Sequence, residues 1–167
     1  RNVALSELNL PTDKKYLLFF GIIREYKGLD LLIEALGKLP KEYHLIVAGE
    51  VYGSFDSYAD VVQNTKTEDR VHLFNNYIPD ADVKTYFSAS DVCVLPYRDA
   101  TQSGITAISY HFNLPVIATD VGGLKENTKH LETGLIVDAP DSQLISETVR
   151  NYFDQGLKAS MTLNIKK

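Results

Sequence analysis

What most constrains this chain is a change of apolar period, repeated along its length, with glycine at the turning points. Tyr16-Leu17-Leu18-Phe19-Phe20 is a continuous apolar run closed by Gly21, the pattern of a strand buried on both faces. Leu29, Leu32, Ile33 and Leu36 then fall at helical spacing, and His44-Leu45-Ile46-Val47-Ala48 returns to a strand before Gly49. Strand, helix and strand in so short a span make a βαβ unit. The alternation continues with a helix over 58–66, a strand at 71–74 and a helix over 80–89 that Pro79 and Asp80 open. A strand at 91–95 stops at Pro96, a helix covers 103–112, and a strand at 115–119 runs into Gly122-Gly123. A last strand at 135–137 precedes a helix over 142–153. The pattern predicts an α/β fold in three layers, helices on both faces of a parallel sheet.

Composition fits one such domain. The chain has 167 residues, 44% of them hydrophobic, enough to bury a core without covalent staples. Seventeen basic against twenty-two acidic residues give a net charge of −5, which argues against a dedicated nucleic-acid or membrane-surface binder. A single cysteine, Cys93, excludes an internal disulfide and a multi-cysteine zinc cage, so a cytoplasmic location is expected. No apolar stretch approaches the ~20 residues of a transmembrane segment. The start at Arg1 is read as a sign of a longer natural chain. Residues 1–15 read as a polar lead-in or interdomain linker, 16–154 as a Rossmann-like body with a parallel sheet of about six strands, and 155–167 as a C-terminal tail.

In open parallel sheets, ligands bind outside the carboxyl ends of the strands. The loops 21–28, 49–57, 75–79, 96–104 and 119–126 are therefore the candidates. The first holds Gly21, Arg24, Lys27 and Gly28 between a buried strand and a helix start, where amides and the helix dipole favour an anion by about 0.3–1 kcal/mol. Lys27 adds a point charge and Arg24 a fork. The glycine spacing is neither a dinucleotide nor a P-loop fingerprint, and solvated loop charges are the plain alternative. Asp99-Ala100-Thr101-Gln102-Ser103-Gly104 leads into a helix and suits a diphosphate cradle or an ordinary N-cap. Gly122-Gly123 lets backbone approach a ligand or another domain closely, and Glu126 reads as a dipole-stabilising residue.

His44, His72, His111 and His130 form no i, i+4 pair and no metal-ligand run, and no metal is expected. Two of them belong to strands and read as core-edge residues. Cys93, between Val92 and Val94, reads as a small core hydrophobe. Ser103 lacks the flanks of a nucleophile elbow. No self-contained catalytic group is present.

The elements in order resemble the C-terminal, donor-binding domain of the group 1 retaining glycosyltransferases, the two-Rossmann-domain (GT-B) type. The resembling segments are FFGIIREYKGLDLLIEAL at Phe19–Leu36, HLIVAGE at His44–Glu50, FNNYIPDADVKTYFSASDVCVLP at Phe74–Pro96, GITAISYHFNLPVIATDVGGLKE at Gly104–Glu126 and TGLIVDAPD at Thr133–Asp141. The resemblance implies a hexosyltransferase-type enzyme of cell-surface polysaccharide synthesis, taking its sugar from a nucleotide-sugar without metal or other cofactor. It also implies an acceptor-binding domain N-terminal to this chain, through which the protein would sit peripherally at the inner membrane face. This chain alone is then expected to be inactive.

The same resemblance assigns residues. Lys27 matches the family lysine that holds the donor diphosphate; the usual arginine position is Ile22, and Arg24 is expected to substitute. Arg24 and Lys27 would thus stabilise the leaving diphosphate. Gly21, Tyr77, Ile78, Asp99, Thr101, Gln102, Ser103 and Gly104 would line the donor site, with Tyr77 and Ile78 bordering the base. The family's two glutamate positions fall at Ala100 and Ile108, with Asp99 beside the first and nothing beside the second. A non-catalytic α/β binding module is the competing reading. A sugar-nucleotide epimerase lacks support in the first loop, and a phosphorelay receiver would need acids after the first strand.

Overall fold

The computed structural model describes residues 1–167. Six strands, β1 (Lys15–Phe20), β2 (Tyr43–Ala48), β3 (Val71–Phe74), β4 (Val92–Leu95), β5 (Val116–Thr119) and β6 (Gly134–Val137), all run parallel in the order β3-β2-β1-β4-β5-β6. This is the doubly wound order, with its switch point between β1 and β4. The helices are α1 (Asn2–Glu7), α2 (Leu29–Gly37), α3 (Asp56–Thr65), α4 (Asp80–Ala89), α5 (Gly104–His111), α6 (Leu124–Asn127), α7 (Ser142–Asp154) and α8 (Lys158–Lys166). No helix is long and apolar enough to cross a membrane.

The continuous apolar runs exist because the strands alternate between two cores. Leu17 and Phe19 of β1, Leu45 and Val47 of β2, and Val92 and Val94 of β4 face the core under α2, α3 and α7. Tyr16 and Leu18, Ile46 and Ala48, and Cys93 and Leu95 face the other, under α1, α4 and α5. A period of two thus feeds both faces, and each must be apolar. Leu29, Leu32, Ile33 and Leu36 of α2 lie wholly buried in the first core, the stripe their spacing predicts. Cys93 is buried, and that burial pushes its thiol up to about 12, so it is inert packing.

Two helices occupy segments that carry no clear apolar period. In α1, Ala4 and Leu5 are buried against the α4 side, and Thr85 Oγ1 donates to Glu7 Oε2 at 3.2 Å. In α8 only Met161 is buried, and the helix is held by polar contacts instead. Lys158 Nζ donates to Asp91 Oδ1 at 3.0 Å, Thr162 Oγ1 to the Asn113 carbonyl at 3.2 Å and Asn164 Nδ2 to the Glu132 carbonyl at 2.9 Å. Contacts this distant in sequence leave no local signal.

The amino ends of the strands are closed by paired charges. Asp91 accepts from Arg1 Nε at 2.9 Å, Lys158 Nζ at 3.0 Å and the Tyr16 amide at 2.8 Å. Arg70 donates to the carbonyls of Leu39, Pro40 and Tyr43. His44 and His72, apart in the sequence, meet across β2 and β3 with ring nitrogens 2.9 Å apart and rings stacked. Burial and then the neighbouring His72 push His44 down to about 4, so this pair is neutral packing.

Candidate functional site

The opposite edge is built from glycines and loops. β1 ends at Gly21, whose φ of 115° only glycine adopts readily, and a Cβ on Gly49 would stand 2.0 Å from the Gly21 carbonyl oxygen. The backbone then crosses buried Ile23, which exchanges hydrogen bonds with Glu50 and Tyr52, and makes one 3-10 turn over Glu25–Lys27. Gly28 ends that turn with φ 70°, and a Cβ there would stand 1.9 Å from the Pro96 carbonyl oxygen. The loops after β1 and β4 are therefore in backbone contact at the switch point.

This path folds Lys27 back over its own strand. Its Nζ lies 3.6 Å from where a Gly21 Cβ would be, next to Ile105 of α5. It stands 6.0 Å from the centre of the Tyr97 ring. Lys27 is half-buried, and neither it nor Arg24 takes part in any of the six ion pairs of the chain. Burial first, and then the nearby Arg24 charge, lower the pKa of the Lys27 ammonium. A half-buried cation with no carboxylate, beside another cation, is stabilised by whatever anion enters.

The loop after β4 supplies the other wall. Ser103 caps α5, accepting from the Ile105 amide at 3.2 Å, and its hydroxyl lies 3.2 Å from the Tyr97 hydroxyl. Tyr97 is buried, which pushes its phenol up to about 12 and keeps it a neutral hydrogen-bonding group. Gly104 opens α5 with nothing within 4 Å of a built Cβ, so the first turn faces free space. Asp99, Thr101 and Gln102 are exposed and, with Tyr26 and Ala100, bound a cavity of about 290 Å³. The loop rests on the paired glycines: a Cβ on Gly122 would stand 1.4 Å from the Ala100 carbonyl oxygen, and the Gly123 amide donates to the Thr101 carbonyl at 2.9 Å. Expected to admit a ligand or another domain, Gly122-Gly123 instead admits the 99–104 loop of its own chain.

Gly21, Lys27, Ser103 and Gly104 thus converge. Arg24 does not join them. It is exposed, with its guanidinium 4.5 Å from the centre of the Tyr52 ring, and lines a separate groove of about 940 Å³ with Tyr26, Tyr58 and Arg98. Tyr77 is 65% exposed on the loop after β3, whereas the Ile78 side chain is buried in the core beneath. Only the main chain of Ile78 is left to face a ligand, and neither its amide nor its carbonyl has a main-chain partner. Ala100 and Ile108 both pack against that same core, so nothing acidic stands at either position. No three His, Cys, Asp or Glu side chains converge on a common point.

Comparison with known proteins agrees with this geometry. The family description "Glycosyl transferases group 1" matches residues 2–167. A putative glycosyltransferase of Bacillus subtilis, YtcC, is 30% identical over 167 residues, covering 93% of this chain and 40% of its own length. A sucrose-phosphate synthase from Thermosynechococcus elongatus superposes with a TM-score of 0.90 at 26% identity, over 99% of this chain and 43% of that one. HepE of Anabaena, crystallised with UDP and glucose, has a TM-score of 0.87 at 20% identity, over 99% of this chain and 46% of its own, a likeness of fold alone. The chain spans less than half the length of each of these proteins. By the match over nearly its whole length, the chain belongs to the group 1 glycosyl transferases.

Proposed function

We propose that this chain is the donor-binding part of a glycosyltransferase that moves a hexose from a nucleoside diphosphate to an acceptor with retention of configuration. One observation carries the reading: the half-buried, carboxylate-free Lys27 ammonium stands over Gly21 beside the open first turn of α5. The diphosphate would lie between Lys27 and the α5 amides, the base against Tyr77 and the Ile78 main chain, and the sugar against Asp99, Thr101 and Gln102. HepE, whose fold this chain shares, binds UDP and glucose, which supports the class of ligand.

The chemistry needs little else from this half. As the bond between the anomeric carbon and the diphosphate oxygen breaks, charge gathers on the leaving phosphate. Lys27 and the helix terminus are already oriented toward that charge, with Arg24 a longer-range contributor, so no metal is required. The new bond forms to the acceptor oxygen, whose proton departs with the diphosphate. The acceptor would be held by a domain N-terminal to this chain, at the cytoplasmic membrane face, so this chain alone would not transfer sugar.

A second reading is favoured by Ala100 and Ile108, which place apolar side chains where the resemblance calls for acids. On that reading the chain is a binding module without catalysis. Titration with UDP, GDP and ADP, followed by amide chemical shifts, separates the two. Shifts centred on 21–28, 75–79 and 99–104 that weaken in Lys27→Ala support the donor site and name its base. Silence with all three nucleotides in this chain and in the full-length protein overturns it.

A further inference from the structure

The position of Lys27 is fixed from outside its own loop. Arg98, two residues beyond Pro96, reaches across to the β1–α2 segment with both main chain and side chain. Its amide donates to the Tyr26 carbonyl at 2.7 Å, and Nη1 donates to the Glu25 carbonyl at 3.2 Å. Nη1 and Nη2 also donate to Asp30 Oδ1 at 2.7 Å and Oδ2 at 2.5 Å, a two-pronged bond. Glu25 and Tyr26 precede Lys27, and Asp30 lies in the first turn of α2, just after Gly28. Lys27 therefore sits inside a bracket whose two arms both belong to Arg98.

Stability alone does not account for this arrangement. The Arg98 and Asp30 side chains are 37% and 29% exposed, and an ion pair so open to solvent is screened. What the bond does supply is geometry, since a planar fork fixes angle as well as distance. It also joins the two loops that form the walls of the anion site. Arg98 leads directly into Asp99–Gly104, so one residue sets both the lysine and the cradle opposite.

We propose that Arg98, through its paired bond to Asp30, is a positioning residue that holds the Lys27 ammonium over Gly21 and in register with the α5 terminus. The proposal rests on the donor-site reading for its purpose but not for its test. Arg98 touches no reacting atom. Without it, the 3-10 turn keeps its own hydrogen bonds within residues 24–28 and the Tyr26–Tyr97 ring contact, and loses its side-chain hydrogen bonds to the β4 loop. Lys27 then swings into solvent.

The test uses Arg98→Met and Asp30→Asn in this chain, with three readings. Thermal unfolding should move little in either variant. The Lys27 ammonium, followed through its 13Cε resonance and assigned with Lys27→Arg, should titrate closer to an ordinary lysine in both, because it leaves its partly buried seat. Affinity for whichever of UDP, GDP and ADP binds should fall about tenfold in both, with the double variant no worse than either single one. Arg98→Lys, which keeps the charge without the fork, should recover only part of the loss.

Folded variants with wild-type Lys27 titration and wild-type affinity would overturn the bracket. If Arg98→Met does not fold, Asp30→Asn carries the same readings, since it removes a charge and leaves the arginine main-chain bond in place. If neither the unaltered chain nor the full-length protein binds any of the three nucleotides, the donor-site reading fails separately, and the Lys27 titration still decides whether Arg98 positions it.

Discussion

The two edges of the sheet use charge in opposite ways. At the amino ends of the strands, Asp91 is met by Arg1, Lys158 and the Tyr16 amide, and Arg70 by three carbonyls. At the carboxyl ends, Arg98 pairs with Asp30 and Lys125 with Asp120, but Lys27 and Arg24 face no carboxylate, and the backbone is thinned to glycine at 21, 28, 49, 122 and 123. Paired charges hold elements together. An unpaired, partly desolvated cation such as Lys27 costs stability, and an anion beside it would offset that cost.

Substitutions at the two edges should therefore separate stability from binding. The largest effect is expected at the backbone crossing on the carboxyl side. Gly28→Ala would drive a Cβ to 1.9 Å from the Pro96 carbonyl at a positive φ, and unfolding free energy should fall by about 3 kcal/mol or more. Denaturant melts measure this, and an unchanged midpoint would refute the close approach of the two loops. Next comes Asp91→Ala, which strands a buried amide and two cations. A loss of about 2–3 kcal/mol is expected, about 5–10 °C in Tm, with nucleotide affinity untouched in the folded fraction.

Lys27→Ala inverts that pattern. Stability should stay within about 0.5 kcal/mol of wild type or rise, while nucleoside diphosphate affinity drops about 10- to 100-fold. Calorimetric titration beside a thermal melt reads both at once, and a large loss of stability with binding intact would erase the distinction between the edges.

The smallest effect is the pH response of the scaffold edge. His44 is held down to about 4 by burial and then by His72, itself lowered by burial, while an unfolded histidine titrates near 6.5. Between those values the unfolded chain takes up protons that the folded one refuses. Stability should fall as pH drops from about 6.5 toward 4 and then level off from this source. His44→Gln should flatten that slope in melts across the window, and an unaltered slope would show that the pair does not govern it.

The site was legible in the sequence to the extent that it depends on residue type at one place in the chain. Gly21 and Gly28 mark turns because their backbones need glycine, and Lys27 between strand and helix is a cation where an anion would be favoured. Arg24 was legible as a cation but not as one lying over Tyr52, because its rotamer is chosen by a neighbour from another loop. Ile78 is visible as a loop residue, yet whether its side chain or main chain faces outward depends on the core beneath. The Arg98–Asp30 bond and the His44–His72 stack carried no signal as pairs, since their partners lie 68 and 28 residues apart and an acid in the first turn of a helix needs no distant partner to explain it. Gly122-Gly123 announced a close approach without naming what approaches.

By itself the sequence determined the six parallel strands and the helices between them other than the single turn α6, because burial on two faces imposes apolar runs, and helical stripes impose spacing that can be counted. It also determined that glycines and cations gather at the strand ends. The tertiary structure alone decided which charges are satisfied. A salt bridge or a hydrogen bond is a property of two residues in space, and the sheet order that brings β1 beside β4 made Asp91 a scaffold residue and left Lys27 open.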